Sequence, residues 1–123
     1  EITTVTSASA VLMLDTEFGG LSGSTSPGDI DGDGFAEVLL GSTFEAELSD
    51  EPPVWVLSGP FRGRLDILAE GKELHLPPSG DAGSLIVGSA GDTNADGRGE
   101  LFVASPFAAA ETGEVYLMGL IGL

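Results

Sequence analysis

The chain has 123 residues, 41% of them hydrophobic, with 19 Gly, 7 Pro, no cysteine, and 20 acids against 4 Lys and Arg for a net charge of −16. That length gives one domain with a modest core, and the apolar share is too high for a disordered tail. The charge argues against nucleic acid and anionic membranes as partners, and the lack of cysteine excludes disulfides, zinc–thiolate sites and thiol catalysis.

The chain opens at Glu1 without an initiator methionine or a signal-like apolar segment, and reads as a mature or excised piece. Residues 2–14, ITTVTSASAVLML, read as an outer strand. Next comes GDIDGDGFAEVLLGS at 28–42, an acidic loop that runs straight into an apolar strand near 37–41. Residues 44–53 read as an exposed acidic loop ending in a proline stop. Strands follow near 54–58 and 64–69, then a connection at 69–84 with room for one short strand, then a strand near 84–90. A second acidic loop, GDTNADGRGELFVAS at 91–105, is followed by a last strand at 114–119. The final apolar stretch, VYLMGLIGL, is too short to span a bilayer.

The two acidic loops are copies. At an offset of 63 residues Asp29 falls on Asp92, Asp31 on Asn94, Asp33 on Asp96, Gly34 on Gly97, Glu37 on Glu100 and Ser42 on Ser105. PVWVLSG (53–59) and GEVYLMG (113–119) correspond with a small shift. The chain is therefore expected to be a single domain, 1–123, of two tandem all-β units. VWVL and VYLM are apolar on both alternating faces, so each of these strands should be covered on both sides.

Seven of the acids lie in the two loops. Carboxylates on alternate residues of a tight turn converge on one point, and a glycine permits the bend. In 29–37 the ligand set would be Asp29, Asp31, Asp33, the Phe35 carbonyl and Glu37. In 92–100 it would be Asp92, Asn94, Asp96, the Arg98 carbonyl and Glu100. Five or more hard oxygen donors suit Ca²⁺, with two sites in all, whereas Mg²⁺ demands a tighter octahedron. An EF-hand needs a bidentate Glu at loop position 12. Leu40 and Val103 stand there, which rejects it. The competing reading of one such loop is a polar turn; two copies in register, each leading into an apolar strand, favour the metal. A cation would neutralise the clustered carboxylates and pin the strand behind them.

These residues resemble the FG-GAP repeat, the blade unit of the integrin α-chain β-propeller and of many secreted bacterial proteins. Phe18-Gly19 is similar to the FG mark, and Gly41-Ser42-Thr43 and Ala104-Ser105-Pro106 stand where GAP belongs. Glu37 and Glu100 depart from the family's usual Asp, and Asp81-Ala82-Gly83 replaces FG in the second unit. The resemblance implies two four-stranded antiparallel blades, calcium at the residues named, and an extracellular or cell-surface setting. Two blades cannot close a ring. Three or four chains could, as homo-oligomers in which the N-terminal strand near 2–6 completes a neighbour's C-terminal blade. A two-sheet sandwich is the alternative architecture.

Elsewhere the sequence points away from catalysis. His75 is the lone histidine and reads as a surface residue; no nucleophile–base pair or G-x-S-x-G elbow can be assembled. Trp55 and Tyr116 read as packing residues, with a sugar-stacking platform as the weaker reading, and Met13 and Met118 read as core. Arg62, Arg64, Lys72 and Arg98 are too scattered for an anion site, and Arg98 is placed to offset its own loop's charge. The expected function is a calcium-stabilised, non-catalytic extracellular module for interaction or scaffolding, with a protein or carbohydrate ligand. The alternatives are a blade fragment of a larger secreted enzyme or adhesin, and a carbohydrate-binding module.

Overall fold

Two antiparallel sheets, one from each repeat, pack face to face, and a small parallel pair of strands with one helical turn covers the far face of the first sheet. The computed structural model describes residues 8–15, 20–43, 53–75, 85–106 and 112–119. The expected strand near 2–6, Phe18-Gly19, residues 44–52 of the acidic loop and Asp81-Ala82-Gly83 lie outside the described residues.

The first sheet is built from β2 (Gly20–Gly28), β3 (Glu37–Thr43), β4 (Val54–Leu57) and β6 (Lys72–Leu74), in that order and all antiparallel. The second holds β7 (Ile86–Gly91), β8 (Glu100–Ser105) and β9 (Glu114–Met118), again antiparallel. Each acidic loop thus joins the first two strands of its sheet. The expectation of two four-stranded blades holds for the first unit; the second has three strands among its described residues. Both the blade and the sandwich readings put the sheets face to face, and Ile30, Leu39, Val54 and Val56 meet Leu85, Val87, Leu101 and Val103 in one buried cluster.

Small residues let the sheets approach. A Cβ at Gly41 would collide with the carbonyl oxygen of Leu85, where the chain enters the second sheet. That oxygen accepts a hydrogen bond from Ser22 Oγ, and Leu85 N donates to the Ser42 carbonyl at 3.4 Å. β2 was not expected as a strand, because GLSGSTSPG has no apolar run. The repeat offset carried the missing signal, since it lays β2 on the strand expected near 84–90.

The strand expected near 64–69 is corrected. β5 (Gly63–Asp66) is short and does not join the blade; it pairs in parallel with β1 (Ala10–Met13). The cause is local. Asp66 accepts from Leu68 N at 2.9 Å and so caps a single helical turn, α1 (Ile67–Glu70), which Gly71 ends by donating to the Ile67 carbonyl. The outer strand of the first sheet is instead β6, inside the connection that had room for one short strand. Ile67, Leu40, Trp55 and Leu57 form a second buried cluster, covered by Leu12, Leu14 and Phe61. The first sheet is therefore buried on both faces, as VWVL predicts: all four residues of β4 are buried. The same expectation fails for VYLM: among the described residues the second sheet is covered on one face, and Val115 and Leu117 of β9 are exposed.

Candidate metal centre

The first loop is shaped by its own carboxylates. Asp31 Oδ1 accepts from Asp33 N at 3.0 Å, and Asp33 Oδ1 from Phe35 N at 2.8 Å, two successive Asx turns. Asp29 accepts from Gly32 N at 2.6 Å and Gly34 N at 2.9 Å. Gly32 and Gly34 have φ of 84° and 92°, which side-chain-bearing residues avoid. Glu37, the first residue of β3, is wholly buried, and its Oε2 accepts from Ile30 N at 2.7 Å.

The second loop repeats most of this network, except that Asp92 Oδ1 accepts from Asp96 N at 3.0 Å where Asp29 Oδ1 accepts from Gly32 N. Asp96 N donates to Asn94 Oδ1 at 2.9 Å, Arg98 N to Asp96 Oδ1 at 2.9 Å, and Gly97 N to Asp92 Oδ2 at 2.9 Å. Buried Glu100 closes the loop from the start of β8, with Oε2 accepting from both Thr93 N and Thr93 Oγ1 at 2.6 Å. Two differences stand out. Ala95 replaces Gly32 yet keeps a positive φ of 61°. The hydroxyl of Thr93 replaces the side chain of Ile30, so Glu100 has a partner that Glu37 lacks.

Asp29, Asp31 and Glu37 each bring a carboxylate oxygen to within 4.8 Å of the others, and so do Asp92, Asp96 and Glu100. Of the expected ligands, Asp33 is not in the first of these groups, and its Oδ1 is committed to the Phe35 amide. Asn94 is bonded through Nδ2 to Asp96 Oδ2 at 3.1 Å. The backbones of Phe35 and Arg98 are held by the Asx turns, which fixes where their carbonyls lie in the chain path. The Arg98 guanidinium reaches across to the first loop: Nη2 lies 4.0 Å from where a Gly32 side chain would begin. Its charge is thus placed beside the neighbouring loop, not only its own.

The residues present fit a hard cation. Glu37 Oε1 is buried and has no hydrogen-bond partner. Burial raises the Glu37 carboxyl pKa above its ordinary value, against the lowering effect of the Ile30 amide, and Asp31 and Asp33 push it further up. A buried, unpaired anion beside two more carboxylates is costly unless something positive shares the space.

The other residues singled out in the sequence carry no chemistry of this kind. His75 is 64% exposed, with Glu73 at 3.5 Å. Trp55 is buried beneath Gly71 and offers no face to a sugar. Tyr116 donates its hydroxyl to Glu114, and Met118 packs on the core between the sheets. Among the described residues no helix is long and apolar enough to cross a membrane.

Comparison with known families returns the FG-GAP repeat, matched twice, at residues 23–57 and 86–118. Each match spans an acidic loop and the strands on both sides of it, and together they cover more than half of the chain. No curated protein and no solved structure gives a significant match.

Proposed function

The chain belongs to the FG-GAP repeat family, whose repeats are typical of integrin-like β-propeller modules, and from that premise we propose that it is a calcium-binding, non-catalytic extracellular module that serves interaction or scaffolding. The observation that carries the proposal is the buried, unpartnered Oε1 of Glu37 at the closure of an acidic loop. Asp29, Asp31, Asp33, Glu37 and the Phe35 carbonyl would hold one Ca²⁺. Asp92, Asn94, Asp96, Glu100 and the Arg98 carbonyl would hold the other.

Calcium would supply positive charge and a coordination point, not a reaction. Each ion would tie the loop to the first residue of the central strand of its sheet. Glu37 and Glu100 begin β3 and β8, and these strands carry Leu39, Leu101 and Val103 into the core between the sheets. Loading would therefore reach the core through the strand. Sites of this kind in extracellular modules bind at about 0.1–1 mM, a range that suits a calcium-rich exterior. An extracellular setting also agrees with the family's occurrence.

Calorimetric titration of the chelator-stripped protein with Ca²⁺ tests the reading. Two sites are expected, with Asp29→Ala and Asp92→Ala each removing one. A chain that takes up no calcium, or variants that leave uptake unchanged, would overturn it.

A further inference from the structure

The two acidic loops lie against each other where the sheets stack. The backbone of Gly99, in the second loop, rests on Pro27, just ahead of the first. A Cβ at Gly99 would collide with the Pro27 carbonyl oxygen and lie 3.8 Å from Ile30 Cγ2. Pro27 and Ile30 are buried. The neighbour of Gly99, Arg98, is fixed at its backbone by its own loop, because its N–H donates to Asp96 Oδ1 at 2.9 Å. Its side chain extends to the first loop, with Nη2 4.0 Å from where a Gly32 Cβ would stand.

The charges of the two loops give this contact a consequence. Residues 28–37 carry Asp29, Asp31, Asp33 and Glu37 and no basic residue, whereas residues 91–100 carry Asp92, Asp96, Glu100 and Arg98. Gly32 stands between Asp31 and Asp33, so the guanidinium sits beside two acids of the loop that has no base of its own. Among the described residues Arg98 makes no ion pair, and its side chain makes no hydrogen bond. The charge is held next to the first loop without being bonded to any one carboxylate, so it occupies no oxygen that a cation would take.

We propose that Arg98 is a counter-charge that the second repeat supplies to the first, lowering the calcium affinity of the first site and relieving the repulsion among its carboxylates when it is empty. The proposal rests on the calcium reading of the loops. A fixed positive charge beside an anionic loop favours the empty loop over the loaded one, because a guanidinium attracts carboxylates and repels a divalent ion. Both effects act across an exposed surface and are screened by salt. The fourth acid of the first loop outweighs this charge in wild type. The affinity of the first site is thus a property of both repeats.

Two-dimensional NMR of backbone amides in the whole chain reads the two sites separately. Gly34 N donates to Asp29 Oδ2 and Gly97 N to Asp92 Oδ2, each at 2.9 Å inside its own loop. In calcium titrations at low salt, Arg98→Gln should move the Gly34 midpoint to about threefold lower calcium, the scale of one exposed charge acting on a divalent ion. The Gly97 midpoint should move less. Arg98→Lys restores the charge and should return the Gly34 midpoint toward wild type. In about 1 M sodium chloride, where charges more than about 3 Å apart are screened, the difference between Arg98→Gln and wild type should close. In chelator at low salt, Arg98→Gln should unfold at lower urea than wild type. A Gly34 midpoint that Arg98→Gln leaves in place, a Gly97 midpoint that moves as far, or an Arg98→Lys variant that behaves as Arg98→Gln would each overturn the proposal. Amides that ignore calcium altogether would sink the calcium reading and the affinity claim with it. The counter-charge itself is judged in chelator, where a urea midpoint unchanged by Arg98→Gln overturns it.

Discussion

Glu37 is the residue in which folding and the proposed metal binding would compete. Its carboxyl pKa is raised in the fold, so the folded chain holds that proton more tightly than the unfolded chain does. Without calcium this group's contribution to stability is fully present below about pH 4.5, its ordinary value, and is lost as pH rises through the raised value. Urea titrations in chelator between pH 4 and 7 should show that fall, and saturating calcium should reverse it. Glu37→Gln should be more stable than wild type in chelator, yet gain less when calcium is added. The two loops should also differ in affinity. The first offers four acids against three acids and an Asn. Its site should bind tighter by on the order of tenfold, a scale reached by ligand charge and rigidity, read as the residual affinity of Asp92→Ala against that of Asp29→Ala. Ala95 carries a left-handed backbone that glycine takes up without strain at the matching position. Ala95→Gly should therefore raise stability by about 1 kcal/mol, measured by denaturant unfolding.

At the scale of elements, the central strands were legible because apolar runs such as VLL and VWVL end at loops with strong turn chemistry. The acidic loops were legible because alternating carboxylates around glycine have few other uses, and they occur twice. β2 was hidden by composition: Gly, Ser and Thr carry no hydrophobic signature, and what ties β2 to the second sheet is a hydrogen bond from the Ser22 hydroxyl to the Leu85 carbonyl. α1 was hidden because RLDIL has the pattern of a strand, and one cap by Asp66 overrides it. The reach of Arg98 to the first loop was hidden too, since it depends on how the sheets stack. Asp66→Ala should cost about 1 kcal/mol through loss of that cap, seen as an earlier urea midpoint. Gly41→Ala forces a methyl group against the Leu85 backbone and should cost about 2 kcal/mol, the scale of an overpacked core.

The whole molecule carries a net charge of −16 on 123 residues, and its self-repulsion opposes compaction. Calcium and simple salt act on that repulsion differently. Sodium chloride screens it generally, while calcium held at the two proposed sites would stabilise the fold by about 2.7 kcal/mol per site at a hundredfold excess over the dissociation constant. In thermal melts, millimolar calcium should therefore raise the midpoint well beyond what sodium chloride achieves at matched ionic strength. The stack of layers also has a direction. Its first sheet is capped by β1, β5 and α1, whereas among the described residues the outer face of its second sheet keeps Ile86, Val115 and Leu117 exposed. A new unit there would meet Ala104 where the existing junction has Gly41. A unit packed there would need a junction geometry of its own, set by that one methyl group.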